Sequence, residues 1–178
     1  MDMIWESRFV RGIWNVAKFA NDEKELFKAY DGIIKIYEGC NLYNDFYERT
    51  KEIMQPAHAN SIFFSRKISK IVDFVLNGIG KKKVKLWCYQ QAILIAAGIK
   101  AMHSQWNEKR KAYVAKEKFE FRFYVGRKER SHVELVIYQW KGKKTKISMD
   151  THLEDKPFEW KGGARYLNSV VETIKAKV

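Results

Sequence analysis

Residues 86–102 read Leu-Trp-Cys-Tyr-Gln-Gln-Ala-Ile-Leu-Ile-Ala-Ala-Gly-Ile-Lys-Ala-Met. The spacing predicts a helix, with Trp87, Cys88, Ala92, Ile95, Ala96 and Ile99 sharing one broad apolar face. Small residues dominate its second half, so the helix can approach a sheet closely. Cys88 falls near its start, just after the polar run Gly80 to Lys85. A thiol there feels the positive end of the helix dipole and the N–H groups that lack an intrahelical acceptor. Both favour the thiolate, the nucleophilic form of cysteine.

Upstream, the pattern is helical. Ile13, Val16, Ala17 and Ala20 follow helical spacing. Asn21-Asp22-Glu23 offers an N-cap to a helix through Leu26, Phe27, Tyr30, Ile33, Ile34 and Tyr37, which Gly39 closes. Pro56 marks a break. A further helix runs through Ile68, Ile71, Val72, Val75 and Leu76 to Gly78 and Gly80. Downstream, the period changes from helical to two. Residues 118–125, 132–138 and 144–150 read as strands, and a last helix is expected from about Ala164 to Lys175. Helices followed by a strand meander indicate the α+β class rather than alternating βαβ units. The chain divides on this reading into a helical N-terminal extension, 1–60, and a core, 61–178.

The hairpin around Gly142 decides which residues of the last two strands meet. A three-residue loop places a left-handed residue third, and glycine takes that conformation without steric cost. With loop 140–142, Tyr138 pairs with Lys144, Val136 with Lys146, Glu134 with Ser148 and His132 with Asp150. Directly opposed residues share one face, so an imidazole would lie beside a carboxylate. A two-residue Lys141-Gly142 turn would break this register and part the two side chains.

Cys88, His132 and Asp150 then form the order nucleophile, base and orienting acid that thiol catalysis needs. At these residues the chain resembles the transglutaminase-like superfamily, with papain-like Cys-His-Asp cysteine peptidases, amidases and acyltransferases. The likeness rests on the Cys88 helix with its Ala96-Ala97-Gly98-Ile99 segment, on Ser131-His132-Val133-Glu134 and on Ile147-Ser148-Met149-Asp150, with spacings of 44 and 18 residues. It spans about residues 62–152. Trp87 stands where many members have a small residue, and Val133 follows the histidine where some have an aromatic. The resemblance implies a Cys-bearing helix packed on an antiparallel sheet, with Cys88 as nucleophile, His132 as general base and acid, and Asp150 as its orienting group. It implies a hydrolase or acyltransferase that works through a covalent thioester on a protein or peptide substrate.

The other signals are broader. The net charge is +13 with a pI near 9.6. A surface of that sign attracts polyanions, so the alternative reading is a catalytically silent basic protein that engages nucleic acid or an acidic protein partner. Trp106, Trp140 and Trp160 interleave with basic runs, but tryptophans are ordinarily core and lysines solubilising. The absence of GxGxxG and P-loop patterns leaves no cofactor expected. His58, His103 and His152 show no paired metal-ligand spacing, so no metal is expected. Two cysteines make no disulfide framework. The N-terminus lacks a signal-peptide pattern, and no apolar run approaches the ~20 residues of a membrane span. The chain reads as soluble and cytoplasmic.

Overall fold

The computed structural model describes residues 16–57, 63–115, 120–127, 131–138, 146–149, 158–159 and 169–175. Helices come first: α1 (Val16–Ala20), α2 (Glu23–Lys28), α3 (Tyr30–Ile36) and α4 (Tyr43–Ile53). After β1 (Met54–Pro56) come α5 (Ile68–Gly78), β2 (Val84–Leu86) and α6 (Cys88–Met102). Strands follow: β3 (Ser104–Asn107), β4 (Ala112–Ala115), β5 (Glu120–Arg127), β6 (Ser131–Tyr138), β7 (Lys146–Ser148), β8 (Phe158–Glu159) and β9 (Ser169–Lys175). The architecture is mixed helix and sheet, broadly α+β.

The centre is α6. Every residue from Cys88 to Ala101 is buried, so the helix has no polar side. A helix apolar on all faces belongs in a core. The single apolar face expected from sequence is therefore a whole circumference, including Ile93, Leu94 and Ala97. Helices α1, α3, α4 and α5 pack around it, and β6 covers it from the sheet side. Its one charged residue, Lys100, is buried and bonds Asn21 Oδ1 at 3.2 Å and the carboxylate of Glu23. That clamp ties the C-terminal half of α6 to the α1–α2 corner, and a cation there also suits the helix dipole.

The helix expected over 23–37 is interrupted at Ala29, giving α2 and α3. Asp22 caps α2 by accepting from the Glu25 N–H at 3.2 Å. Gly39 has φ +80°, the left-handed closure expected of it. Helix α3 lies against α5 through Gly32, where a Cβ would sit 2.5 Å from Val72 Cγ1.

Helix α4 occupies a stretch to which no separate helix is assigned from sequence. Its start is built by Asp45, whose Oδ2 accepts from the Asn41 and Leu42 N–H groups, each at 2.8 Å. Those bonds hold its carboxyl below the ordinary aspartate range. A depressed pKa contributes stability above the unfolded-state pKa and loses it as pH falls through the folded value. Asp45→Ala should therefore cost about 1 kcal/mol near neutrality, the usual scale for a lost cap. In urea titrations the gap to the parent protein should close as pH drops below about 4. A gap that persists unchanged in acid would show that the carboxylate charge is not involved.

Strand order in the five-stranded antiparallel sheet is β8-β7-β6-β5-β9. Phe121, Ile137 and Ile147 oppose one another across β5, β6 and β7, and all three are buried. This row fixes the sheet against the helical core. The β6–β7 ladder is offset by two from the expected register. Tyr138 pairs with Lys146 and Val136 with Ser148, where Lys144 and Lys146 were expected. The Met149 N–H continues the ladder to Leu135 O at 2.8 Å. An offset of two keeps each residue on its expected face, because the pleat repeats every two residues. Apolar pairing of Ile137 with Ile147, rather than the assumed loop length, accompanies the observed register.

Residues 169–175 form the edge strand β9 and not the end of a helix. Val170, Val171, Thr173 and Ile174 are β-branched, which disfavours helix and suits a pleated surface. The remainder of the expected helix, 164–168, lies outside the described residues. The parallel β1–β2 pair and the β3–β4 hairpin complete the fold.

Candidate active site around Cys88

Cys88 is the first residue of α6, and Trp87 is its N-cap with extended backbone at φ −69° and ψ 158°. The thiol is buried, at 7% exposure. The helix start that carries it is tied down by Gln90 and Tyr89. Gln90, fully buried, accepts the Trp87 N–H at 2.9 Å through Oε1. Its Nε2 donates to Phe63 O and Ser65 O, each at 3.1 Å. The side-chain amide thus ties the 63–65 segment to the start of α6. The Tyr89 hydroxyl donates to Phe64 O at 3.1 Å. Burial pushes that hydroxyl's pKa up, with Cys88 adding to the effect and Arg66 opposing it, so Tyr89 remains a protonated donor. Phe64 and Trp87 stack with centroids 5.5 Å apart.

The result is a set of hydrogen bonds and one ring stack that ties residues 63–65 to the first turn of α6, where Cys88 sits. Sequence reasoning did not single out Gln90. Its signal was a glutamine three positions after an extended residue, the N3 place from which a side chain reaches back to the N-cap. Because the Gln90 amide already makes three hydrogen bonds, it serves geometry. Any oxyanion donors at this site would be backbone N–H groups of the first helical turn.

His132 is the second residue of β6 and pairs with Gly126 on β5. Its strand packs directly on α6. Val133, Leu135 and Ile137 join the same core cluster as Cys88, and in the alternate set, to which position 132 belongs, Val136 and Tyr138 are buried as well. Asp150 lies outside the described residues, and the register from which its pairing with His132 was expected is not the one observed, since the β6–β7 ladder is offset by two. The structure therefore brings the Cys88 helix and the His132 strand into contact as elements.

The other cysteine differs. Cys40 is 2% exposed, follows Gly39, and burial pushes its thiol up. Both thiols are free. Among the described residues, no group of three His, Cys, Asp or Glu side chains is placed to hold a metal ion. No described helix is long and apolar enough to cross a membrane. Comparison of the chain with family models, with curated proteins and with solved structures returns no match.

Proposed function

We propose that this protein is a thiol-dependent hydrolase or acyltransferase in which Cys88 attacks an amide or ester carbonyl of a protein or peptide and holds the acyl group as a thioester. The observation that carries the reading is the place of Cys88: the first residue of a helix buried from Cys88 to Ala101 that packs on the strand bearing His132. In this scheme the thiol proton passes to His132, the thiolate adds to the carbonyl, and the leaving amine or alcohol takes the proton from the imidazolium. Water or an amine then releases the acyl group by the reverse sequence. Asp150 orients the imidazole.

Alkylation tests the nucleophile directly. Iodoacetamide on the folded protein at neutral pH, followed by peptide mapping, should modify Cys88 and leave Cys40 unmodified. Modification should fall sharply in His132→Ala, which removes the base. Equal labelling of the two cysteines, or labelling only after denaturation, would reduce Cys88 to a packing residue.

A further inference from the structure

At the far end of α6 a second surface takes shape. Phe27 on α2 stacks on Trp106 of β3, with centroids 4.4 Å apart and planes 25° from parallel. Phe27 is nevertheless 51% exposed. One face of its ring lies on Trp106, and much of the remainder is open. The residues about this pair are cationic. Lys24 and Lys28 are exposed on α2, and Lys109 and Arg110 are exposed in the β3–β4 turn. Lys24 lies one helical turn from Phe27, and the turn begins two residues after Trp106.

The acidic residues of the same segments are already engaged. On α2, Glu23 binds buried Lys100, and Glu25 binds the Ser69 N–H at 3.2 Å and its hydroxyl. In the turn, Glu108 accepts from Trp106 Nε1 at 2.8 Å and pairs with Lys111 at 2.7 Å. Among the described residues, no carboxylate forms a salt bridge with Lys24, Lys109 or Arg110, and Lys28 lies near enough to Glu25 to interact with its carboxylate. The turn itself is held in shape. The Arg110 N–H donates to Asn107 Oδ1 at 2.9 Å, and Lys111 takes the left-handed conformation at φ 48°. The surface is thus an exposed aromatic step with a rim of exposed positive charge.

We infer that the Phe27–Trp106 step and its basic rim bind single-stranded nucleic acid, with an unstacked base on Phe27 and backbone phosphates on Lys24, Lys28, Lys109 and Arg110. An exposed ring face is matched by a base face, and base–aromatic stacking is tolerant of sequence. Duplex bases present edges rather than faces, so a duplex would use only the cationic rim. An acidic protein would likewise leave the ring unused. Cys88 is the first residue of α6 and Trp106 follows its other end, the helix itself being about 21 Å long from its first residue to its last. The inference uses no part of the thiol chemistry.

The test is fluorescence anisotropy of labelled oligothymidylate with the full chain. Four phosphate contacts to a single strand predict a fall in affinity of about 50-fold between 50 and 200 mM salt. Phe27→Leu retains an apolar contact with Trp106 but removes the ring, and should weaken binding by about 5-fold or more. K109E/R110E should weaken it further and flatten the salt slope by about 1.4, for two lost contacts. Circular dichroism and thermal melts establish that each variant is folded, and Lys18→Glu, on α1, is the charge control. The inference is overturned by any of three results: no binding at low salt, equal affinity of Phe27→Leu and the parent, or binding of duplex DNA, polyglutamate or phosphatidylserine vesicles as tight as that of the oligonucleotide.

Discussion

Replacing Cys88 with alanine should abolish turnover while leaving the fold in place. The substrate panel would be activated esters and peptide anilides, each with and without an added amine acceptor. On any member the parent protein turns over, the expected loss is about 10,000-fold or more, the scale of removing a nucleophile that acts with a base as one unit. The structural cost is small, because the change removes one sulfur atom at the helix start. The Gln90 and Tyr89 hydrogen bonds do not involve the thiol and should persist. Cys88→Ser should be nearly as inactive, since a hydroxyl at ordinary pKa is a far weaker nucleophile than a thiolate. His132→Ala should match Cys88→Ala, and the double variant should be no worse than either. Additive losses would mean that the two residues do not act together. Undiminished activity in Cys88→Ala would place the chemistry elsewhere.

Gly98→Val should be the most destabilising of the single substitutions considered. A Cβ at position 98 would lie 2.6 Å from Tyr37 Cδ2 and 2.8 Å from Cε2. The ring cannot swing away freely. Its hydroxyl bonds Thr50 Oγ1 at 2.9 Å, and Thr50 donates onward to Phe46 O at 2.8 Å. Phe46 also flanks the ring, with centroids 5.3 Å apart. Burial pushes the Tyr37 hydroxyl's pKa up, so it stays a donor throughout the accessible pH range. Overpacking in such a site costs about 3 kcal/mol, the upper part of the usual range. For a chain of this size that lowers Tm by about 6 to 12 °C. Gly98→Ala should cost less, because alanine recovers about 1 kcal/mol of helix propensity. The diagnostic is coupling. Tyr37→Leu vacates the space, so Gly98→Ala should be harmless or stabilising in that background, with an interaction of at least about 1 kcal/mol. Strict additivity would mean that the glycine is not there for Tyr37.

How much of this was legible in the sequence follows from what each signal encodes. The Cys88 helix and the α5 helix were readable because their apolar residues recur at short, local spacing. Strands β5 and β6 were readable from period-two alternation. The α2–α3 interruption at Ala29 was not, because nothing in the local pattern marks it. Helix α4 escaped because its cap is the unusual combination of Leu42 with Asp45 reaching back. Strand β9 was not legible because an amphipathic pattern with Lys at its end suits either element, and only the β-branched residues favour the strand. The β6–β7 register depends on a loop whose type sequence only suggests. For the site, Cys88 at a helix start was legible, whereas the Gln90 and Tyr89 hydrogen bonds required knowing that residues 63–65 return to that helix. The Phe27–Trp106 step joins residues nearly eighty positions apart, and tryptophan's usual burial argued against an exposed surface there.

The most direct measurement of the central claim is trapping of the acyl-enzyme. The protein is incubated with an activated ester, quenched in acid and digested, and the peptide containing Cys88 is examined by mass spectrometry. The expected result is an acyl adduct on Cys88 that hydroxylamine removes and that Cys40 does not share. Turnover with no adduct on Cys88, or with the acyl group on another residue, would contradict the claim that this thiol is the nucleophile.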